Sequence, residues 1–240
     1  MHIKINDLNK SFEKDRQILQ GINLEVKKGE IVSILGPSGC GKSTILRILA
    51  KLESLDSGTA TLTGSMSFVF QQPLLLEWRS ALENVLLPLE LKNPDRHEAI
   101  LKAKECLKLA CLEDHDHQYP DQLSGGMKMR VSLARALITD PEILLLDEPF
   151  AALDEMTREK LNEELLDLNR QKQMTMLFVT HNIFEAVFIS DRIIILGESP
   201  ANIVNEINIS LPRPRNIEDR GSPEFARLVG EVQASLRRKA

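Results

Sequence analysis

Near the N-terminus, Ile3-Lys4-Ile5 and Ile22-Asn23-Leu24-Glu25-Val26 alternate apolar and polar residues. That period of two belongs to strands with one face buried and one wet, as in an antiparallel region. Ile31-Val32-Ser33-Ile34-Leu35, Ile143-Leu144-Leu145-Leu146, Met174 to Val179 and Ile193-Ile194-Ile195-Leu196 are almost continuously apolar. Runs of that kind suit strands covered on both faces, the situation in a parallel sheet. Helical spacing follows the first run over Ile45 to Ala50. It follows the second over Asp154 to Lys172, with Asp154 as N-cap and acidic residues early. Strand and helix in alternation predict an α/β fold, a parallel sheet with helices on both faces.

Shorter pieces fill the gaps. Asp56-Ser57-Gly58 reads as a turn, and Thr59 to Thr63 and Ser67 to Phe70 as short strands. From Gln71 the pattern changes: Pro73, Pro88 and Pro94 punctuate the chain, and helical spacing such as Arg96 to Leu109 replaces strands. This predicts a helical insertion over about 74–139, inside a core formed by about 1–73 and 140–196, all within one domain spanning 1–240. Within the insertion, Trp78 ends the apolar cluster Leu74-Leu75-Leu76-Glu77-Trp78, either buried or presented to a partner. Beyond Gly197 the pattern weakens. Leu211-Pro212-Arg213-Pro214-Arg215 is held extended by its prolines, and Phe225 to Lys239 reads as a helix with a basic C-terminal end. The tail over about 197–240 has no assigned task, and the Arg213/Arg215 pair is expected to be structural or partner-facing.

Composition narrows the class. A net charge of −5 offers no basic field for nucleic acid, so no nucleic-acid partner is expected. Three cysteines, Cys40, Cys106 and Cys111, lack framework or metal spacing, which points to a reducing compartment. Met1 to Ile5 carries no signal-peptide core, and no run reaches about 18 apolar residues, so a cytoplasmic chain without a membrane span is expected. Cys106 and Cys111 read as core or partly exposed thiols. Glu113-Asp114-His115-Asp116-His117 reads as a solvated loop rather than a metal site.

The candidate chemistry begins at Gly36-Pro37-Ser38-Gly39-Cys40-Gly41-Lys42-Ser43-Thr44, between the strand pattern of 31–35 and the helix pattern of 45–50. G-x-x-x-x-G-K-[ST] in that context is the phosphate-binding P-loop. Its glycines let backbone N–H groups turn inward around a phosphate, and the helix N-terminus adds partial positive charge. Lys42 would reach the β- and γ-phosphates and the Ser43 hydroxyl would coordinate Mg²⁺. Alkylation of Cys40, inside the loop, is expected to block the nucleotide by bulk. Phe12, in the polar segment Asn9 to Lys14, fits either a cover for a nucleotide base or an ordinary packing residue.

The P-loop at 36–44, Leu123-Ser124-Gly125-Gly126 before a helix, Leu144-Leu145-Leu146-Asp147-Glu148 and the strand-end His181 occur in that order. Together they resemble the ATP-binding-cassette ATPases over nearly the whole chain. The resemblance implies a P-loop NTPase core of RecA-like type, with an antiparallel β subdomain and an inserted α-helical subdomain. It implies that Phe12 stacks on adenine, that Gln71 senses Mg²⁺ and the attacking water, and that Asp147 holds the metal. It further implies that Glu148 polarises the water and His181 contacts the γ-phosphate. Ser124, Gly125 and Gly126 would act in trans, capping ATP held by the P-loop of a second copy, and Ala151-Ala152-Leu153-Asp154 would cross that homodimer interface. Departures from the family pattern are Met127, Met129, Asn182 and Glu77, none of which is expected to touch the phosphates.

Pro149 to Asp154, Glu185-Ala186-Val187-Phe188 with Asp191-Arg192, and Leu211 to Arg215 are similar to the nitrate/sulfonate/taurine-type import branch. That resemblance implies a separate membrane permease docked near Gln71 to Trp78, a substrate-binding protein upstream, and a peripheral place on the cytoplasmic face of the membrane. Competing readings are an exporter or lipid-release cassette, a non-transport cassette acting on ribosomes or DNA, and a P-loop kinase. The last leaves Leu-Ser-Gly-Gly unexplained.

Overall fold

The computed structural model describes residues 1–12, 16–91 and 95–237. The chain opens with β1 (Ile3–Phe12), β2 (Arg16–Val26) and β3 (Ile31–Leu35), then α1 (Lys42–Leu49), β4 (Ser57–Leu62) and β5 (Met66–Val69). Three helices follow, α2 (Ala81–Glu90), α3 (Arg96–Leu109) and α4 (Gly125–Leu137). The rest is β6 (Ile143–Asp147), α5 (Glu155–Lys172), β7 (Thr175–Val179), α6 (Ile183–Ile189), β8 (Arg192–Leu196), β9 (Ile203–Asn208) and α7 (Pro223–Arg237). Pro94 and the last two positions of the helix expected over 225–239 lie outside the described residues.

The strands form two sheets: an antiparallel one in the order β2-β1-β4, and a six-stranded one in the order β5-β6-β7-β3-β8-β9. In the second, neighbours from β5 to β8 run parallel. Side chains of adjacent residues on a strand point to opposite faces, and the continuous apolar runs serve both. Val32, Ile34, Leu145, Leu177 and Ile194 pack against α1 and the antiparallel sheet. Ile31, Leu144, Leu146, Phe178 and Ile193 pack on the other side, with residues of α4, α5, α6 and α7. One face is therefore covered by a sheet together with a helix, not by helices alone.

Three local expectations are corrected. Ser57 and Gly58 belong to β4 rather than to a turn. A Cβ on Gly58, whose φ is +91°, would lie 2.2 Å from the Asp7 carbonyl oxygen, so glycine permits the close approach of β4 to β1. Phe12 closes β1 instead of sitting between strands. β9 extends the sheet past Gly197, antiparallel to β8 with Ile193 opposite Ile207. It escapes the pattern because it is an edge strand whose one fully buried residue is Ile207.

The insertion is helical. Ser80 caps α2, accepting from the Glu83 N–H while the Glu83 carboxylate accepts from the Ser80 N–H, and Pro88 lies inside the helix rather than ending it. α5 starts where Asp154 accepts from the Thr157 N–H. The tail is part of the fold: Phe225, Leu228 and Val232 of α7 join the core against α6. Among the described residues, no helix is long and apolar enough to cross a membrane. Among the same residues there is no cluster of three or more histidine, cysteine, aspartate or glutamate side chains that could hold a metal ion by themselves.

Candidate functional site

The parallel strands β3, β6 and β7 end together, and the loops after them carry the polar groups that their buried interiors cannot hold. The C-terminal edge of an open α/β sheet is where ligands bind. After β3 the chain turns through residues 36–41 into α1. Gly41 has φ +102°, and a Cβ there would meet Leu19 Cδ2 at 2.6 Å and Ile18 Cγ2 at 2.8 Å, so backbone angle and packing both demand glycine. α1 begins without a side-chain cap. Its first N–H groups are thus free of a side-chain competitor at the positive end of the helix.

Lys42 is buried and folds back over the loop, its Nζ donating to the carbonyl oxygens of Gly36 at 2.9 Å and Pro37 at 2.8 Å. Ser43 Oγ donates to Asp147 Oδ1 at 2.6 Å. Asp147 closes β6 in the interior, where burial raises its pKa against the lowering effect of the Ser43 hydrogen bond. Glu148 follows with φ +45°, a left-handed conformation uncommon for a side-chain-bearing residue, and its N–H donates to the Val179 carbonyl at 2.9 Å. This fixes the turn that aims its carboxylate at His181, whose Nδ1 lies 2.8 Å from Glu148 Oε2.

A cavity of about 530 Å³ is walled by Lys42, Ser43 and Glu148 but not by Asp147 or His181. Phe12, Arg16, Ile18, Gly39, Lys42, Ser43, Gln71 and Glu148 are among its walls. Phe12 is 39% exposed, with Lys10 Nζ 5.0 Å from its ring centroid and Lys10 itself paired to Glu53 at 2.9 Å. Ser124, Gly125 and Gly126 do not line this cavity. Ser124 caps α4, accepting from the Met127 N–H, and a Cβ on Gly125 would meet nothing within 4 Å, whereas one on Gly126 would press Thr157 Cγ2 at 2.9 Å. Cys40 is only 2% exposed, and burial raises its thiol pKa, so it faces the packed side of the loop rather than the cavity. A reagent must therefore open the loop before it reaches the sulfur, which makes direct blocking by alkylation slow.

Several positioning residues escaped the sequence pattern. Asn84, fully buried on α2, accepts from the Leu76 N–H and donates to the carbonyls of Leu76, Arg79 and Ser80, pinning the segment that carries Trp78. Arg135 on α4 donates to the carbonyls of Pro73 and Leu74, just after Gln71. The buried Glu185 accepts from Thr180 Oγ1 and from Asn162 Nδ2, bracing the loop of His181. Asn182 accepts from the Glu185 N–H at 3.1 Å and so caps α6. A polar Asn84 inside an otherwise apolar helix face was the one available signal. Arg135 offered none, because its partners are backbone atoms distant in sequence.

The family model described as ABC transporter matches residues 19–151, more than half of the chain. The chain belongs to the ABC transporter family. Among curated relatives, an ABC transporter ATP-binding protein of Methanocaldococcus jannaschii is 45% identical, covering 93% of this chain and 86% of that protein. An aliphatic sulfonates import ATP-binding protein of Bacillus cereus is 39% identical over 98% of this chain and the whole of that protein. A bacterial ABC transporter cassette solved as a dimer is 37% identical, with a TM-score of 0.78 over 88% of this chain and all of that one. A post-hydrolysis dimer bound to ADP and Pi is 36% identical with a TM-score of 0.79. The P-loop NTPase fold expected of this cassette is the fold it has.

Proposed function

We propose that this cassette is the ATP-hydrolysing subunit of an importer that takes up a small molecule, a sulfonate-, nitrate- or taurine-like anion, through a separate membrane permease. One observation carries the reading: a single cavity brings Phe12, the P-loop residues, Gln71 and Glu148 together. That arrangement suits a nucleoside triphosphate, with an aromatic for the base, inward N–H groups and a lysine for the phosphates, and a carboxylate beyond them. Lys42 would exchange its two loop carbonyls for phosphate oxygens, and Glu148 would exchange His181 for the attacking water. His181, so released, would meet the γ-phosphate. Phosphoryl transfer needs positioning and charge neutralisation more than covalent chemistry, and these groups supply both.

The residues also fit Mg²⁺. Ser43 Oγ and Asp147 Oδ1 already face one another across 2.6 Å, and a hydroxyl with a buried carboxylate is the oxygen donor set a hard cation takes. Gln71 at the rim would complete the set. Bound there, the ion would neutralise charge developing on the transferred phosphoryl group.

The exposed Ser124-Gly125 end of α4, outside the cavity, supports a homodimer with two sandwiched ATP molecules, each P-loop site capped by the other copy. The dimeric cassettes noted above support the same assembly. In this reading 1–73 and 140–196 form the catalytic core and 74–139 the helical subdomain. The permease would dock near Gln71 to Trp78, where Trp78 is 73% exposed on a segment that Asn84 pins. A cavity of about 780 Å³ begins two residues on at Ser80, lined also by Leu82, Leu86, Arg96, Ile100 and Tyr119. A rigidly presented aromatic suits an anchor for a partner. The cassette would sit peripherally on the cytoplasmic face of the membrane, and the sulfonate-import relatives favour uptake, fed by a substrate-binding protein.

The test uses Glu148→Gln protein. It is expected to bind ATP, to hydrolyse it roughly a hundredfold more slowly or worse, and to accumulate as a dimer. With ATP it should capture a polytopic permease from detergent-solubilised membranes. Normal turnover would remove Glu148 from its role, and capture of ribosomal or DNA-repair proteins alone would sink the transport reading. Trp78→Ala in the same background should lose the permease and keep the ATP-bound dimer. Unchanged capture would move the docking site elsewhere.

A further inference from the structure

The segment beyond Gly197 has no assigned task beyond a structural or partner-facing place for Arg213 and Arg215, and its arginines hold the two helices that follow the site's loops. α6 has seven residues, so the unpaired carbonyls of its last turn are a large share of its backbone. Arg215, 5% exposed, fills that end: Nη1 donates to Phe188 O at 2.8 Å and Ser190 O at 2.7 Å, and Nη2 to Leu211 O at 3.1 Å. Burial holds its pKa down to about 10, so at neutral pH it remains a cation at the negative end of the helix. Arg213 donates to Ile189 O and to Asp191 Oδ1, while Asp191 Oδ2 accepts the N–H of Ile31, the first residue of β3.

Farther along, the arm grips α5. Glu155, Glu159 and Glu163 recur every four residues and so share one face of that helix. Arg220 reaches Glu159 Oε1 at 2.7 Å and Glu155 Oε1 at 3.6 Å, with its guanidinium 4.9 Å from the ring centroid of Phe188 on α6. The N–H of Ile217 donates to Glu163 Oε1 at 2.6 Å. One turn into α5, Arg158 donates to the carbonyls of Phe150 and Leu153 and so ties the helix to the loop before it. Glu185 and Asn162 bridge the start of α6 to α5. Both helices are therefore clamped, and the loops that lead into them, 151–154 and 180–182, are tied to elements the arm holds.

We infer that the C-terminal arm is a positioning element for hydrolysis: Arg220 ties α5 to α6 while Arg213 and Arg215 hold the C-terminal end of α6, which together set His181 and the 151–154 loop relative to the γ-phosphate. The inference rests on the proposed contact of His181 with that phosphate. None of the three arginines lines the nucleotide cavity. They act through helices, so their loss should change turnover and spare binding.

The experiment compares full-length Arg220→Met and Arg213→Gln with the unaltered protein, well below their melting temperatures. Arg220→Met keeps bulk over Phe188 and deletes the ion pairs; the half-exposed Arg213 provides a second variant that folds if the first does not. A kcat loss of roughly three- to tenfold is expected, with KM and ATP Kd within about twofold, and partial rescue in Arg220→Lys. A lowered Tm with unaltered kcat in both variants would make the arm merely structural and overturn the inference. His181→Ala measured alongside separates the two readings. Wild-type turnover in it would overturn the role of His181, whereas slow turnover there with unaltered arm variants would overturn the arm's role alone.

Discussion

The P-loop at 36–44 and the Leu123-Ser124-Gly125-Gly126 loop are both glycine-rich turns leading into helices, but their surroundings are opposite. At Gly41 the loop is closed in by Ile18 and Leu19, Lys42 is buried, and Ser43 is bonded to Asp147 on the neighbouring strand. At Gly125 there is open space, and Ser124 is exposed with only its own helix to cap. The first loop is finished within one chain. The second is unpartnered within its own chain, which is what a site completed in trans would require. In the proposed dimer, a monomer would hold a whole binding site and an incomplete catalytic one.

That contrast can be broken by substitution. Lys42→Ala should have the largest effect, since it removes the principal cation of the finished site. Turnover should fall about a hundredfold or more and ATP affinity about tenfold, both read by a phosphate-release assay beside equilibrium nucleotide binding. Unaltered affinity would mean that the loop does not hold the phosphates. Gly125→Val sharpens the comparison from the other side. A Cβ there meets no atom of its own chain, so folding and monomer ATP affinity should stay as they are. Turnover and ATP-dependent dimerisation should drop by roughly tenfold to a hundredfold, because the added bulk enters the space where a second P-loop would sit. If the Gly125→Val variant dimerises normally on analytical ultracentrifugation, the interface lies elsewhere.

The same contrast separates what could be read in the chain from what could not. The P-loop, the Leu146-Asp147-Glu148 strand end and the start of α5 at Asp154 were legible because each is a local device. A glycine spacing, a buried run ending in carboxylates and a capping residue act within a few positions. β9 was not legible, because an edge strand has too little buried surface to impose a pattern. A structural or partner-facing place was expected for Arg213 and Arg215, but which groups they and Arg220 hold was invisible for another reason: their acceptors are backbone carbonyls and carboxylates from Asp191 and Ser190 back to Glu155. A carbonyl leaves no trace in a sequence.

The sequence by itself determined that strands alternate with helices, that a glycine-spaced loop ending in Lys42 and Ser43 joins one strand to the helix after it, and which residue types stand ready for chemistry. Those follow from periodicity and from side-chain chemistry, which are properties of neighbours along the chain. Tertiary structure alone decided that Glu148 would rest on His181, that Phe12 and Gln71 would share one cavity, that Cys40 would be shut away from it, and that the tail would clamp α5 and α6. Each of these depends on which distant segments the two cores bring together, and packing between elements is decided in three dimensions.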